Sequence, residues 1–226
     1  MQVEAHQIHM REHASLLADV EKRVLVWLAR RMPAWVNSDH LTLLGLAAML
    51  LAGAAFWASS RNRLALPLVV VALALNWFGD SLDGTLARVR NCQRPRYGWY
   101  VDHVIDIFGT SFLLGGLALS GYMSPVVALL LLAVFMMVEA EVYLATHSHG
   151  VFRLAFMKLG PTELRILLAV GTMLLLYKPW VRIAGIGPFR LFDVGGVVAI
   201  VGLAATLTIS AIRNTVALYK AERLPR

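Results

Sequence analysis

Four aspartates stand where an apolar chain has no ordinary use for them. Asp80 and Asp83 lie at the end of one hydrophobic run, in Gly79-Asp80-Ser81-Leu82-Asp83-Gly84-Thr85-Leu86-Ala87-Arg88. Asp102 and Asp106 lie at the start of the next, in Gly98-Trp99-Tyr100-Val101-Asp102-His103-Val104-Ile105-Asp106. An ionised carboxylate inside a membrane protein is costly unless it is paired or bound to a metal, so these residues are candidates for function by default. Spacings of i, i+3 and i, i+4 each place a pair on one side of a helix. The short segment between the two runs makes the helices antiparallel neighbours, which brings four carboxylates to one depth. There they repel unless they share cations. Oxygen-only ligands suit hard ions such as Mg²⁺ or Mn²⁺, and four carboxylates have room for two.

The small residues nearby complete the pattern. Gly84 and Ala87 sit one turn from Asp80 and Asp83, and Gly98 sits one turn before Asp102. Together they leave a hollow where a ligand approaches the backbone. Arg88 at its rim is able to reach a phosphate. Paired metals, a hollow and an arginine describe a site for a pyrophosphate.

These residues, Asp80-x-x-Asp83-Gly84-x-x-Ala87-Arg88 followed by Gly98-x-x-x-Asp102-x-x-x-Asp106, resemble the signature of the CDP-alcohol phosphotransferases. The intervening Val89–Tyr97 is slightly longer than that family's usual pattern and is expected to widen the loop without moving the carboxylates. The resemblance implies roles. Asp80, Asp83, Asp102 and Asp106 would be metal ligands, and Asp106 also the base that takes the proton from the acceptor hydroxyl. Asp80, Asp83, Gly84, Ala87, Arg88, Gly98 and Asp102 would bind the CDP moiety. The expected reaction is metal-dependent transfer of a phosphoryl-alcohol group with loss of CMP, making a phospholipid. The expected donor is of the CDP-diacylglycerol or the CDP-choline/ethanolamine type. The competing reading from another class is a cation transporter, since intramembrane carboxylates also build ion paths. The position of the cluster at one membrane face separates the two.

The rest of the chain must position these groups, and its composition says how. Of 226 residues, 58% are hydrophobic and 15% charged, which excludes an ordinary soluble domain. Six apolar runs are long enough to span a bilayer: Leu41–Ser59, Leu64–Leu82, Tyr100–Leu119, Pro125–Thr146, Thr162–Lys178 and Phe192–Ile212. Alternating strands are not apparent, so the expected class is an all-α membrane protein. Ala14–Met32 has a helical apolar stripe of Leu16, Leu17, Val20, Val24, Trp27 and Leu28. It reads as an amphipathic helix lying in the interface, or else as a helix packed on the rest of the chain. Asn37-Ser38-Asp39 offers caps for the first span. The organisation is thus an N-terminal segment over 1–36 and a six-helix domain over 37–226.

Charge sets the expected topology. With alternating sides, sixteen Lys and Arg fall on the side of the N-terminal segment, the second and fourth loops and the tail. Five, namely Arg61, Arg63, Lys178, Arg182 and Arg190, fall on the other. The positive-inside rule then makes both termini and the aspartates cytoplasmic, in an expected bacterial inner membrane. The net charge of +7 is explained this way together with anionic lipid, so no nucleic-acid partner is expected. Membrane lipid and a second copy of the chain, as a homodimer, are the other partners considered. No cleavable signal peptide is expected, because a charged stretch precedes the first long apolar run. Cys92, the one cysteine, excludes an intrachain disulfide.

Weaker signals leave alternatives open. Glu139 and Glu141 point to different faces of one span, so one faces the cavity or one bonds another helix. His147, His149, Gly150 and Gly160-Pro161-Thr162-Glu163 faintly resemble the choline/ethanolamine phosphotransferase branch, or the histidines are simply solvated. Arg153, Lys158 and Arg165 are ordinary positive-inside charge or bind an anionic acceptor. Asp193 reads as a helix-start cap and His103 as a neighbour of the metal ligands.

Overall fold

The computed structural model describes residues 18–149 and 161–222, with only the backbone of His149. Arg11, Leu16, Leu17, Gly150, Arg153, Lys158, Gly160, Arg223, Arg226 and the His149 side chain lie outside the described residues. The described chain is 82% helical. Its helices are α1 (Ala18–Arg31), α2 (Ser38–Ser59), α3 (Leu66–Val89), α4 (Pro95–Leu119), α5 (Pro125–His149), α6 (Pro161–Leu175) and α7 (Leu191–Ala221). Proline opens α4, α5 and α6 and is the second residue of α3, where its missing N–H costs no helical bond.

Five of these helices, α2, α3, α4, α5 and α7, are long and apolar enough to cross a membrane. The expected sixth span at Thr162–Lys178 corresponds to α6, whose 15 residues rise only about 22 Å, less than the bilayer core. Helix α3 continues past Leu82 to Val89, and α4 starts at Pro95 rather than Tyr100. The motif therefore lies on two continuous helices joined by residues 90–94.

One element departs from the all-helical expectation. Strands β1 (Trp180–Ile183) and β2 (Ile186–Arg190) form an antiparallel hairpin between α6 and α7, pairing Trp180 with Arg190 and Val181 with Phe189. Its turn, Ala184-Gly185, has φ of 48° and 80°. Two successive left-handed residues match the twist of paired strands, a signal that only the glycine advertises.

Helix α2 is the spine of the bundle, and two close approaches set its neighbours. A Cβ on Gly79 of α3 would stand 2.5 Å from the Leu41 carbonyl oxygen and 2.7 Å from Gly45 N. A Cβ on Gly116 of α4 would stand 2.0 Å from the Gly53 carbonyl oxygen. Both α3 and α4 thus press on α2 at backbone contact, as small residues allow in membrane helices. Around these contacts Ala52, Phe56, Leu66, Leu73, Leu114, Leu117, Leu175 and Phe192 form the main core. Helix α7 packs on α5 through Val138, Val142, Leu203 and Leu207.

The predicted N-terminal helix divides its apolar residues between two surroundings. Leu25 and Ala29 are buried against Leu41, Leu82 and Leu86. Val20, Val24 and Trp27 remain 59%, 41% and 53% exposed. Arg90, after α3, donates to the carbonyls of Met32, Pro33 and Val36 and so ties the α1–α2 link to the site end of α3.

Candidate active site

The predicted cap triplet at the start of α2 does three separate jobs. Asn37 accepts from His40 N at 3.0 Å and caps the helix. Ser38 Oγ donates to the Asp83 carbonyl at 2.9 Å, and Asp39 pairs with Arg94 just ahead of α4. The N-terminus of α2 therefore clips the C-terminal part of α3 to the start of α4, the two segments that carry the aspartates.

The structure brings three of the four carboxylates together. Asp80, Asp102 and Asp106 each offer an oxygen, and these oxygens lie within 4.8 Å of one another. Asp83 stands apart. Its Oδ2 accepts from Thr42 Oγ1 at 2.6 Å, and its Oδ1 accepts from Gly84 N. The helix period explains the split. Three residues advance about 300°, so Asp83 is displaced by about 60° from Asp80 and turns onto α2. Four residues advance about 400°, leaving Asp102 and Asp106 only about 40° apart.

Arg165 of α6 enters this cluster. Its Nη2 pairs with Asp80, and its Nε donates to Asn76 Oδ1 at 2.7 Å. Asn76 in turn donates to the Gly45 carbonyl at 3.1 Å. The chain Gly45–Asn76–Arg165–Asp80 links three helices at the site. Arg165 is thus not idle surface charge; it is bound to a predicted metal ligand. Asn76 was missed in the sequence, although an amide one turn before Asp80 inside an apolar run is a legible polar anomaly. Glu21 of α1 was missed as well. It accepts from Trp77 Nε1 at 2.7 Å and Thr162 Oγ1 at 2.6 Å, joining α1, α3 and α6 next to the cluster.

The other predicted residues separate cleanly. The Arg88 guanidinium lies over Gly84, with Nη1 3.3 Å from where a Cβ would be, and donates to Thr85 Oγ1 at 2.9 Å. A Cβ on Gly98 would meet nothing within 4 Å, so the backbone there faces open space. Ala87 accepts from Cys92 N at 3.0 Å, shaping the turn after the motif. Of the two glutamates, Glu139 is an electrostatic neighbour of Asp106 and accepts from Tyr143 at 2.7 Å. Glu141 is held by Ser210 and Asn214 of α7, a bond between helices. His103 lies 3.8 Å from Asp102 with its ring tilted against Trp99 and Tyr143, which also meet edge to face, so one aromatic wall backs the cluster. His147 is exposed and Glu163 buried. Asp193 accepts from Ser124 N at 2.5 Å and so serves the start of α5 rather than its own helix α7.

Three oxygen donors at this spacing fit a hard divalent ion, and the only donors among them are carboxylates. The family model described as CDP-alcohol phosphatidyltransferase matches residues 35–208. No curated protein matches the chain.

Proposed function

The chain belongs to the CDP-alcohol phosphatidyltransferase family, and from that premise we propose that it moves a phosphoryl-alcohol group from a CDP-linked donor to an acceptor hydroxyl, releasing CMP. The observation that carries the reading is the convergence of Asp80, Asp102 and Asp106 at one end of α3 and α4. Family membership supports a transferase of phospholipid synthesis that uses divalent metal ions. Here Asp80, Asp102 and Asp106 would hold Mg²⁺ or Mn²⁺, with Asp83 the fourth carboxylate for a second ion. When bound, the ions would offset the charge of the donor pyrophosphate.

The chain's own groups do the rest. Arg88, Gly84, Ala87 and Gly98 would take the CDP moiety, with the guanidinium on a phosphate oxygen and the two glycines leaving the backbone approachable. Asp106 would accept the proton of the acceptor hydroxyl at a carboxylate oxygen. The acceptor oxygen then forms the new bond to phosphorus as the bond from phosphorus to CMP breaks, and CMP leaves with that electron pair. The donor is of the CDP-diacylglycerol or CDP-choline/ethanolamine type.

Six crossings and a cytoplasmic site complete the proposal. Helix α6 carries Arg165 in its second turn, beside Asp80, and ends at Leu175 in the core cluster that includes Leu66 and Val69 from the first turn of α3. That path supports reading the short α6 as a sixth crossing. The charge bias supports a cytoplasmic site, and nucleotide donors, which do not cross bilayers unaided, require one. The exposed Val20, Val24 and Trp27 support an interfacial position for α1. Transport of a cation is disfavoured, since the carboxylate cluster sits at one end and Glu141 is already engaged with α7.

The test is CMP release by the purified protein against a panel of CDP-linked donors and acceptor alcohols. One pairing should release CMP, EDTA should abolish it, and Mg²⁺ or Mn²⁺ should restore it. No release from any pairing, or full activity after rigorous chelation, overturns the reading.

A further inference from the structure

A second polar site lies at the other end of the bundle. A cavity of about 310 Å³ opens between the end of α2, the α2–α3 and α4–α5 turns and the hairpin, lined among others by Arg61, Arg63, Arg190, Tyr122 and Trp180. Its volume is at the lower bound for small-ligand pockets. Leu66 and Asp80 are fourteen residues apart on α3, a rise of about 21 Å, so this cavity is distinct from the aspartate cluster.

The placement of its three arginines is hard to explain structurally. Five Lys and Arg fall on this side of the chain, and three of them line one cavity. Topology works against arginine at this end, so the positive-inside rule does not account for them. Among the described residues no acidic one lines the cavity, and none of the three arginines makes an ion pair. Asp193, close in sequence to Arg190, makes no ion pair with it and accepts from Ser124 N through Oδ1. Arg61 and Arg63 are exposed and Arg190 is half-buried, so water screens part of their mutual repulsion and an anion joining them would offset the rest. Arg61 lies 5.9 Å from the Trp57 ring and Arg190 5.9 Å from the Trp180 ring, at the outer reach of a cation–π contact. The hydroxyls of Ser59, Ser60 and Ser120 donate back to their own helices, so the arginines are the principal donors.

We propose that this cavity binds a phosphate group at the membrane surface opposite the aspartates. Arginine forks match phosphate oxygens in geometry and charge. The surrounding Trp57, Trp180 and Tyr122 are side chains that favour headgroup depth, which makes a phosphate carried on a lipid the expected source and free phosphate the other.

The experiment uses full-length protein in detergent, offered phosphatidylglycerol, diacylglycerol without a phosphate, or inorganic phosphate. Lipid retained after washing is read by native mass spectrometry, and inorganic phosphate by equilibrium dialysis. The parent and R182Q, which removes an arginine of the same side outside the cavity, should retain phosphatidylglycerol and not diacylglycerol. R61Q/R63Q/R190Q should lose at least about tenfold of that retention, the scale of one charge-assisted contact. R61K/R63K/R190K, which keeps charge but loses the forks, should fall between them and guards against a folding defect in the glutamine variant. CDP should not displace the lipid. Uptake of inorganic phosphate by the parent, lost in R61Q/R63Q/R190Q, would assign the site to free phosphate. Equal retention in the parent and both triple variants, equal retention of diacylglycerol, or displacement by CDP overturns the proposal.

Discussion

Arg165 on α6 pairs with Asp80 on α3 across 85 positions of sequence, so one of the three clustered carboxylates is bound to a cation supplied by the protein. Their side chains are 17% and 23% exposed, which puts the pair between surface and buried ion pairs in energy. Arg165→Gln should lower the stability of metal-stripped protein by about 1–3 kcal/mol. Saturating Mg²⁺ should close most of that gap, because a bound ion replaces the lost charge. Thermal unfolding in detergent, with and without Mg²⁺, checks this. A gap that Mg²⁺ leaves untouched would mean that Arg165 supports the fold and not the cluster.

Asp106 and Asp80 should fail in different ways. Asp106→Asn keeps the shape but removes the proton acceptor, so turnover should fall by about 10²–10⁴-fold while donor binding largely survives. Asp80→Asn should instead raise the metal concentration needed for half activity. Metal titrations of CMP release, with binding of a CDP-linked donor measured separately, distinguish the two. Near-normal turnover in Asp106→Asn would move the proton-acceptor role elsewhere, with Glu139, an electrostatic neighbour outside the proposed metal ligands, a candidate.

Two glycines on α4 give opposite expectations. Gly116 stands at backbone contact with Gly53, so Gly116→Ala should destabilise the bundle by about 1–3 kcal/mol, the range for overpacking. Gly98 faces open space, so Gly98→Ala should leave stability unchanged and act on KM for the CDP donor. Paired measurements of unfolding temperature and of KM decide it. Loss of stability in Gly98→Ala would make that glycine a packing residue.

Cysteines placed at Arg94 and Arg182 should label from opposite membrane faces after Cys92 is replaced by serine. Arg94 precedes α4 beside the aspartates, and Arg182 lies in the hairpin at the far end. An impermeant maleimide on intact and opened membranes reads the sides. Labelling of both from one face would overturn six crossings and the route by which a lipid acceptor meets the site.

The carboxylates proposed as functional were legible in the sequence because their cost is local. A carboxylate in an apolar run is anomalous wherever it occurs, and Asp80, Asp83, Asp102 and Asp106 at one-turn spacing state which helix faces they occupy. Hydropathy alone likewise determined the membrane class, and five of the expected spans are helices of spanning length. Which carboxylates converge was not local. Asp83 is drawn to Thr42 because α2 lies against that side of α3, and α2 lies there because Gly45 and Gly79 admit backbone contact. Only the tertiary structure decided that Arg165 meets Asp80, that Glu139 faces the cluster while Glu141 faces α7, and that Glu21 joins α1 to α3 and α6. Each of these pairings depends on how separate helices are rotated and set against one another. Periodicity within a helix fixes which residues share its face, but not which neighbour that face will meet.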